Sequence, residues 1–176
     1  MAEARLIVQL QLLHADAFGW AVSCSAGDRA LAEDVLQDAY LKVVGNAAKR
    51  EGRSALKTWW FGVIRLTALE ANRRKRRRES GLLKLMEGWL LPRSTAKQQE
   101  AVEIDEEVAR LRALLGTLPA RQAEALHLVF YQDLTLAEAA EVMGVSIGSA
   151  RQHYDRGKKR MRQLLQPEIA HASQRQ

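Results

Sequence analysis

The stretch from Thr135 to Leu165 leaves this chain few ways to fold. In Thr135-Leu-Ala-Glu138 a hydroxyl stands three residues before a carboxylate. That is the capping-box spacing: the Thr oxygen can accept from the backbone N–H of residue 138, and Glu138 can return the bond. Gly144 suits the positive φ that ends such a helix, and Ser146 suits the cap of the next. Ala140 is small where two helices must cross, and Met143, Val145, Ala150 and Tyr154 can fill the space between them. Two short capped helices meeting at a glycine form a helix-turn-helix, whose second helix enters the DNA major groove. A pair used only for packing has the same pattern, so that reading stays open here. Ala150, Tyr154, Gly157, Met161 and Leu164 turn the second helix inward. Ser149, Gln152, His153, Arg156, Lys159 and Arg160 are left outward, with Arg151 beside them, able to donate to phosphates and base edges.

The rest of the chain also reads as helix. Leu6, Leu10, Leu13, Ala17, Trp20 and Cys24 are spaced 4, 3, 4, 3 and 4, an amphipathic stripe in which Cys24 is a small core residue. Gly27-Asp28 breaks it, and Asp28 can cap a second helix carrying Leu31, Val35, Ala39 and Val43 inward to Gly45-Asn46. Residues 45–56 form a polar, basic loop. Ser54 or Thr58 is placed to cap a third helix through Trp59, Trp60, Phe61, Val63 and Ile64 into Arg73–Arg78. A connector follows over 81–100, with the apolar segment Leu82, Leu83, Leu85, Met86, Trp89 and Leu90 as a candidate docking helix. The helical pattern returns at Ala101, and Leu118-Pro119 opens a further helix. The expected fold is all-α: two small helical domains, 1–80 and 101–170, joined by a flexible linker. A loose tail is expected after residue 165.

Composition narrows the function. The 176 residues carry a net charge of +6 and a pI near 9.8. Residues 1–80 hold 14 basic against 9 acidic side chains, and a second basic cluster, Lys158, Lys159, Arg160 and Arg162, lies far along the chain. Two separated cationic helices suit a long polyanion better than a small substrate. One cysteine excludes an internal disulfide and a Cys-rich zinc module. The scattered His14, His127, His153 and His171 have no metal-ligand spacing, and no carboxylates are paired for catalysis. No catalytic residue, metal or cofactor is expected. No apolar run approaches the ~20 residues of a membrane span, and a cytoplasmic location is expected.

With those motifs in order, the chain resembles sigma-70 family factors of the extracytoplasmic-function (ECF) group. LAEDVLQDAYLKVV resembles their region 2.2, TWWFGVIRLTALEANRRKRRRE their regions 2.3–2.4, and LGTLPARQAEALHLVFYQDLTLAEAAEVMGVSIGSARQHYDRGKKRMRQLL their region 4. The resemblance covers roughly residues 10–78 and 108–165. It implies a dissociable promoter-specificity subunit whose partners are bacterial core RNA polymerase (β′ clamp helices and β flap), promoter DNA and, commonly, an anti-sigma factor or other regulator. Asp34, Gln37 and Asp38 are implicated in polymerase docking, although Asp38 could simply pair with Lys42 at i,i+4. The −10 set is Asn46, Lys49, Arg50, Arg53, Lys57, Trp60, Arg65, Arg73, Arg74, Arg76 and Arg77. The −35 set is Ser149, Arg151, Gln152, His153, Arg156, Lys159 and Arg160. Trp59 is expected in the core, and Trp60 is divided between core and base stacking. Two positions depart from the family: Leu66 stands where Asn is usual, and Asp155 interrupts the basic recognition helix.

A helix-turn-helix regulator that dimerises through residues 1–100, independent of polymerase, is the main rival. It accounts for residues 135–165 but not for the acidic second helix or the Trp-rich third helix ending in six cations. A nucleic-acid enzyme and a membrane-surface role are weaker rivals. The Arg tract has no adjoining amphipathic anchor.

Overall fold

The computed structural model describes the backbone of residues 2–50, 52, 54–86 and 113–173, and the side chains of 5–50, 52, 54–80 and 113–165. Arg53, the connector beyond residue 86 and the helical pattern from Ala101 to residue 112 lie outside the described residues, as do the side chains of the 82–90 segment.

The first half is built from α1 (Ala2–Leu12), α2 (His14–Cys24), α3 (Arg29–Val44) and the long α4 (Leu56–Met86). The stripe expected to form one helix forms two. At Leu13 the backbone turns to φ −95°, ψ 7°, and its N–H reaches back to the Leu10 carbonyl at 3.1 Å. The stripe still points inward, with Leu10, Ala17 and Trp20 fully buried. Asp28 caps α3 as expected, accepting from the Leu31 N–H at 3.0 Å. Its other oxygen holds Lys75 of α4 at 2.9 Å. Those two bonds, the lysine's first, hold the Asp28 carboxyl below its ordinary range, and the same pairing raises Lys75. α3 ends at Gly45, and Asn46 takes a left-handed turn at φ +56°. Ser54 does not cap α4: its hydroxyl bonds Glu141 in the other half. Thr58 is buried within α4.

The second half contains α5 (Ala120–Leu126), a π-helical turn (His127–Tyr131), α6 (Leu136–Met143) and α7 (Ile147–Ser173). The capping box is complete: Glu138 N–H donates to Thr135 Oγ1 at 3.2 Å, and Thr135 N–H donates to Glu138 at 2.9 Å. Gly144 closes α6 at φ 64°, ψ 42°, and Ser146 Oγ accepts from the Ser149 N–H at 3.1 Å to open α7. Gly157 is required for a different reason. A Cβ there would sit 3.1 Å from Leu126 Cδ1 and 3.2 Å from the Gln122 carbonyl, so its absence sets the close crossing of α5 and α7.

The halves share one continuous hydrophobic cluster that runs from Trp20 and Phe61 to Leu128, Ala139 and Met143. Arg65 on α4 bonds Glu124 on α5 through two nitrogens, at 3.1 and 3.4 Å, with its side chain only 6% exposed. Gln132 donates to the Asp16 carbonyl at 3.4 Å, and the Trp20 and His127 rings lie 5.2 Å apart. Among the described residues no helix is long and apolar enough to cross a membrane, and no group of three or more His, Cys, Asp or Glu is gathered as for a metal ion.

Candidate nucleic-acid interface

α7 turns its polar side outward as its spacing requires. Ala150 and Gly157 are buried, while Tyr154 is half-buried and stacks on Phe130 at 5.7 Å. Arg151, Gln152, Arg156, Lys159 and Arg160 are exposed, with Ser149 and His153 half-buried on the same side. Ser149 Oγ lies 2.9 Å from Ser146 Oγ, so this hydroxyl is partly engaged in the start of its own helix. Gln152 and Arg156 are four apart, one turn, and project side by side. That geometry allows one to address adenine and the other guanine.

α4 is less simple, because the fold engages three residues expected on DNA. Trp60 is fully buried, its ring 4.9 Å from Tyr40. The half-buried tryptophan is Trp59, whose indole N–H donates to the Lys49 carbonyl at 3.3 Å and so fixes the basic loop against α4. Which of two adjacent aromatics faces inward depends on where the helix meets α3. Arg65 is held by Glu124 and is not available to DNA in this arrangement. Lys57 bonds Asp16 at 2.9 Å and lies over the Phe61 ring at 5.5 Å. Trp60 belongs to the first half's core and Arg65 to its seam with the second half, a correction that reduces the expected −10 set, while Lys57 stays half-buried and paired within its own half.

What remains of that set among the described residues is exposed. Asn46, Lys49 and Arg50 lie in the loop, where Arg50 donates to the Ser54 carbonyl at 2.9 Å. Arg73 through Arg78 are all exposed. Arg74 reaches Asp38 at 3.8 Å and Glu70 at 3.9 Å, and Lys75 is on Asp28. Among the described residues no ion pair holds Arg73, Arg76, Arg77 or Arg78. Periodicity could not have singled these out within the run, since it is α3 that takes up the other members.

The outer face of α3 is separate. Asp34 and Gln37 are exposed, while Asp38 is half-exposed and leans toward Arg74. The alternative Asp38–Lys42 pair does not form. Lys42 instead bonds Glu70 at 2.8 Å and Thr67 Oγ1 at 3.1 Å on α4. Beside Gln37 lies an apolar groove of about 540 Å³, lined by His14, Phe18, Leu36, Tyr40 and Leu41. Cys24 is half-buried against the core, and burial pushes its thiol well above its ordinary range, away from the reactive thiolate.

A helix-turn-helix joined to a cation-bearing helix with an acidic helix behind it is the arrangement that the resemblance to sigma-70 factors implies. Residues 10–78 match Sigma-70 region 2, and residues 114–163 match Sigma-70, region 4. The ECF RNA polymerase sigma factor EcfG of Rhodopseudomonas palustris (strain TIE-1) is 30% identical over 146 residues, covering 83% of this chain and 77% of that protein. RNA polymerase sigma factor SigZ of Bacillus subtilis (strain 168) is 23% identical over 145 residues, 82% of this chain and 78% of SigZ. The solved structure of the sigma factor RpoE in complex with the anti-sigma factor NepR from Bartonella quintana superimposes with a TM-score of 0.68 at 26% identity. The match covers 90% of this chain and 94% of that one. The chain belongs to the ECF group of the sigma-70 family.

Proposed function

We propose that this protein is a non-enzymatic, cytoplasmic sigma factor that binds core RNA polymerase and directs initiation at promoters with defined −35 and −10 elements. The observation that carries this reading is one chain bearing two chemically different exposed helices: α7 with a polar face turned away from the core, and α4 with cations that no described residue pairs, beside a basic loop. A regulator acting alone would need the first and not the second.

In this reading residues 1–80 form region 2, 81–100 the linker and 101–170 region 4. Asp34 and Gln37, with Asp38 at the margin, meet the β′ clamp helices, and the groove beside Gln37 supplies apolar area for that contact. A second groove of about 420 Å³, floored by Leu126, Phe130 and Met161 with Lys158 and Arg162 at its rim, suits the β flap. Asn46, Lys49, Arg50, Arg73, Arg76 and Arg77 follow the −10 strand. Ser149, Arg151, Gln152, His153, Arg156, Lys159 and Arg160 meet the −35 duplex. The likeness to a sigma factor solved with an anti-sigma factor supports an anti-sigma partner here as well.

Reconstitution with bacterial core polymerase tests the function. Promoter-dependent transcripts that require this chain are expected. Binding to −35 DNA without any gain in initiation would identify a polymerase-independent regulator instead.

A further inference from the structure

The turns of α4 divide cleanly by what they touch. Trp60, Ile64 and Ala68 face the core, Thr67, Glu70 and Arg74 face α3, and Arg65 faces α5. Among the described residues one stripe is left unpartnered: Gly62, Leu66, Leu69, Arg73 and Arg76, spaced 4, 3, 4 and 3. Leu66 is 59% exposed and Leu69 38% exposed, and a Cβ added at Gly62 would meet nothing within 4 Å. Half-buried Trp59, tied to the Lys49 carbonyl, borders the glycine end, and cations occupy the other. The result is a shallow apolar step, open from above, running directly into charges suited to phosphates.

A stripe of this composition offers bases little hydrogen bonding. Gly62, Leu66 and Leu69 carry no side-chain donor or acceptor, so along the stripe itself the hydrogen-bond code that separates adenine, guanine and cytosine has no reader. The one base-edge group that apolar side chains recognise is the thymine methyl. We propose that Leu66 and Leu69 are specificity residues for thymine in the separated non-template strand of the −10 element. They receive its 5-methyl group while Arg73 and Arg76 hold the adjoining phosphates. The open surface over Gly62 admits the base, and the seam at Arg65 leaves this face uncovered. The proposal rests on the sigma-factor reading and adds which base chemistry region 2 selects.

The test uses holoenzyme assembled from bacterial core polymerase and the full chain. Promoter DNA randomised over the −10 element is selected for open-complex formation, and each non-template thymine of the recovered sequence is then replaced by deoxyuridine, which lacks only the methyl. At one position or more the replacement is expected to lower open-complex formation about fourfold, the worth of one buried methyl-sized group. The Leu66→Ala/Leu69→Ala holoenzyme is expected to treat the two bases alike there. Both leucines are exposed, so the variant should keep the wild-type thermal midpoint and core-polymerase affinity. Equal thymine-to-deoxyuridine ratios for wild type and variant at every −10 position would overturn the proposal while leaving the sigma reading intact. A wild-type protein that gives no promoter-dependent initiation at all would overturn both.

Discussion

The two helices proposed to face DNA, α4 and α7, differ in how far the fold draws on their polar residues. α7 lies at the edge of its half, with one side packed on α5 and α6, and nearly every polar side chain on the other side is left for a partner. α4 is central, with α2 and α3 on one side and the second half on another. Lys57, Arg65, Arg74 and Lys75 are accordingly bound to Asp16, Glu124, Asp38 and Asp28. A helix packed on one side can be read from its periodicity, because the outward residues are those off the stripe. On a helix packed on several sides, an off-stripe residue can still be internal.

The largest expected effect falls on the α4 side of this contrast. Arg65→Ala removes one partner of a pair whose side chains are 6% and 17% exposed, leaving Glu124 buried beside Arg121 alone. Removing one member of a buried pair costs ~3–5 kcal/mol, and the retained Arg121 bond points to the lower end, about 3 kcal/mol. Urea unfolding should show that loss. An Arg65→Ala protein of unchanged stability but weakened −10 binding would return Arg65 to the DNA set and erase the distinction between the helices.

The next effect belongs to α7 and separates base reading from phosphate attraction. Arg156→Ala should lower activity selectively at −35 variants that carry a guanine in its reach, by ~1–3 kcal/mol of discrimination, and Gln152→Ala should do the same at an adenine. Arg76→Ala should instead weaken all promoters alike and reduce the slope of log K against log salt by about 0.7, the single-strand value. Transcription from single-base promoter substitutions reads both. If Arg156→Ala lowers every −35 variant equally, Arg156 is a phosphate clamp and the reading face lies elsewhere on α7.

The same contrast explains what was legible in the sequence. The capping box at Thr135, the αL turn at Gly144 and the caps at Ser146 and Asp28 are local rules, set by a side chain and a backbone group three residues apart or by a single φ angle. They could be read without the rest of the fold, and they stand in the structure as expected. The fates of Trp60, Arg65 and Ser54 depend on partners 20 to 87 residues away: Tyr40, Glu124 and Glu141. Tertiary contacts at that separation carry no periodic signature. The break at Leu13 is a third kind of case, since the apolar stripe runs unbroken across it and only the backbone turns.

A smaller effect tests the local side of that distinction. Thr135→Ala removes the hydroxyl that accepts from the Glu138 N–H, at a cost of about 1 kcal/mol. The bonds from Thr135, first its hydroxyl and then its N–H, hold the Glu138 carboxyl below its ordinary range. A carboxylate whose folded pKa is depressed adds stability above its unfolded pKa and loses it as pH falls through the folded value. Wild type should therefore lose part of its advantage over Thr135→Ala as the pH is lowered into the acid range. Thermal midpoints of both proteins across that range decide it, and a gap that widens on acidification would contradict the capping role of Glu138.

The smallest expected effect on the fold is at α3, where Asp34 and Gln37 are exposed and, among the described residues, form no side-chain hydrogen bond or ion pair with another element. Asp38 differs, since it lies 3.8 Å from Arg74 in an exposed pair. Exposed pairs contribute ~0–1 kcal/mol, and surface substitutions away from such features stay within about ±0.5 kcal/mol. The Asp34→Ala/Gln37→Ala protein should thus melt with wild type while binding core polymerase more weakly. Asp38→Ala should weaken binding with a slight further loss of stability from the freed Arg74. Thermal melts and titration of labelled core polymerase separate the two quantities. Full polymerase affinity in the double variant would move the docking surface off this face. The groove beside Gln37 would then have to be tested through its own residues: Leu41→Asp places a charge at a position 61% exposed, where it disturbs an apolar partner far more than it disturbs the fold.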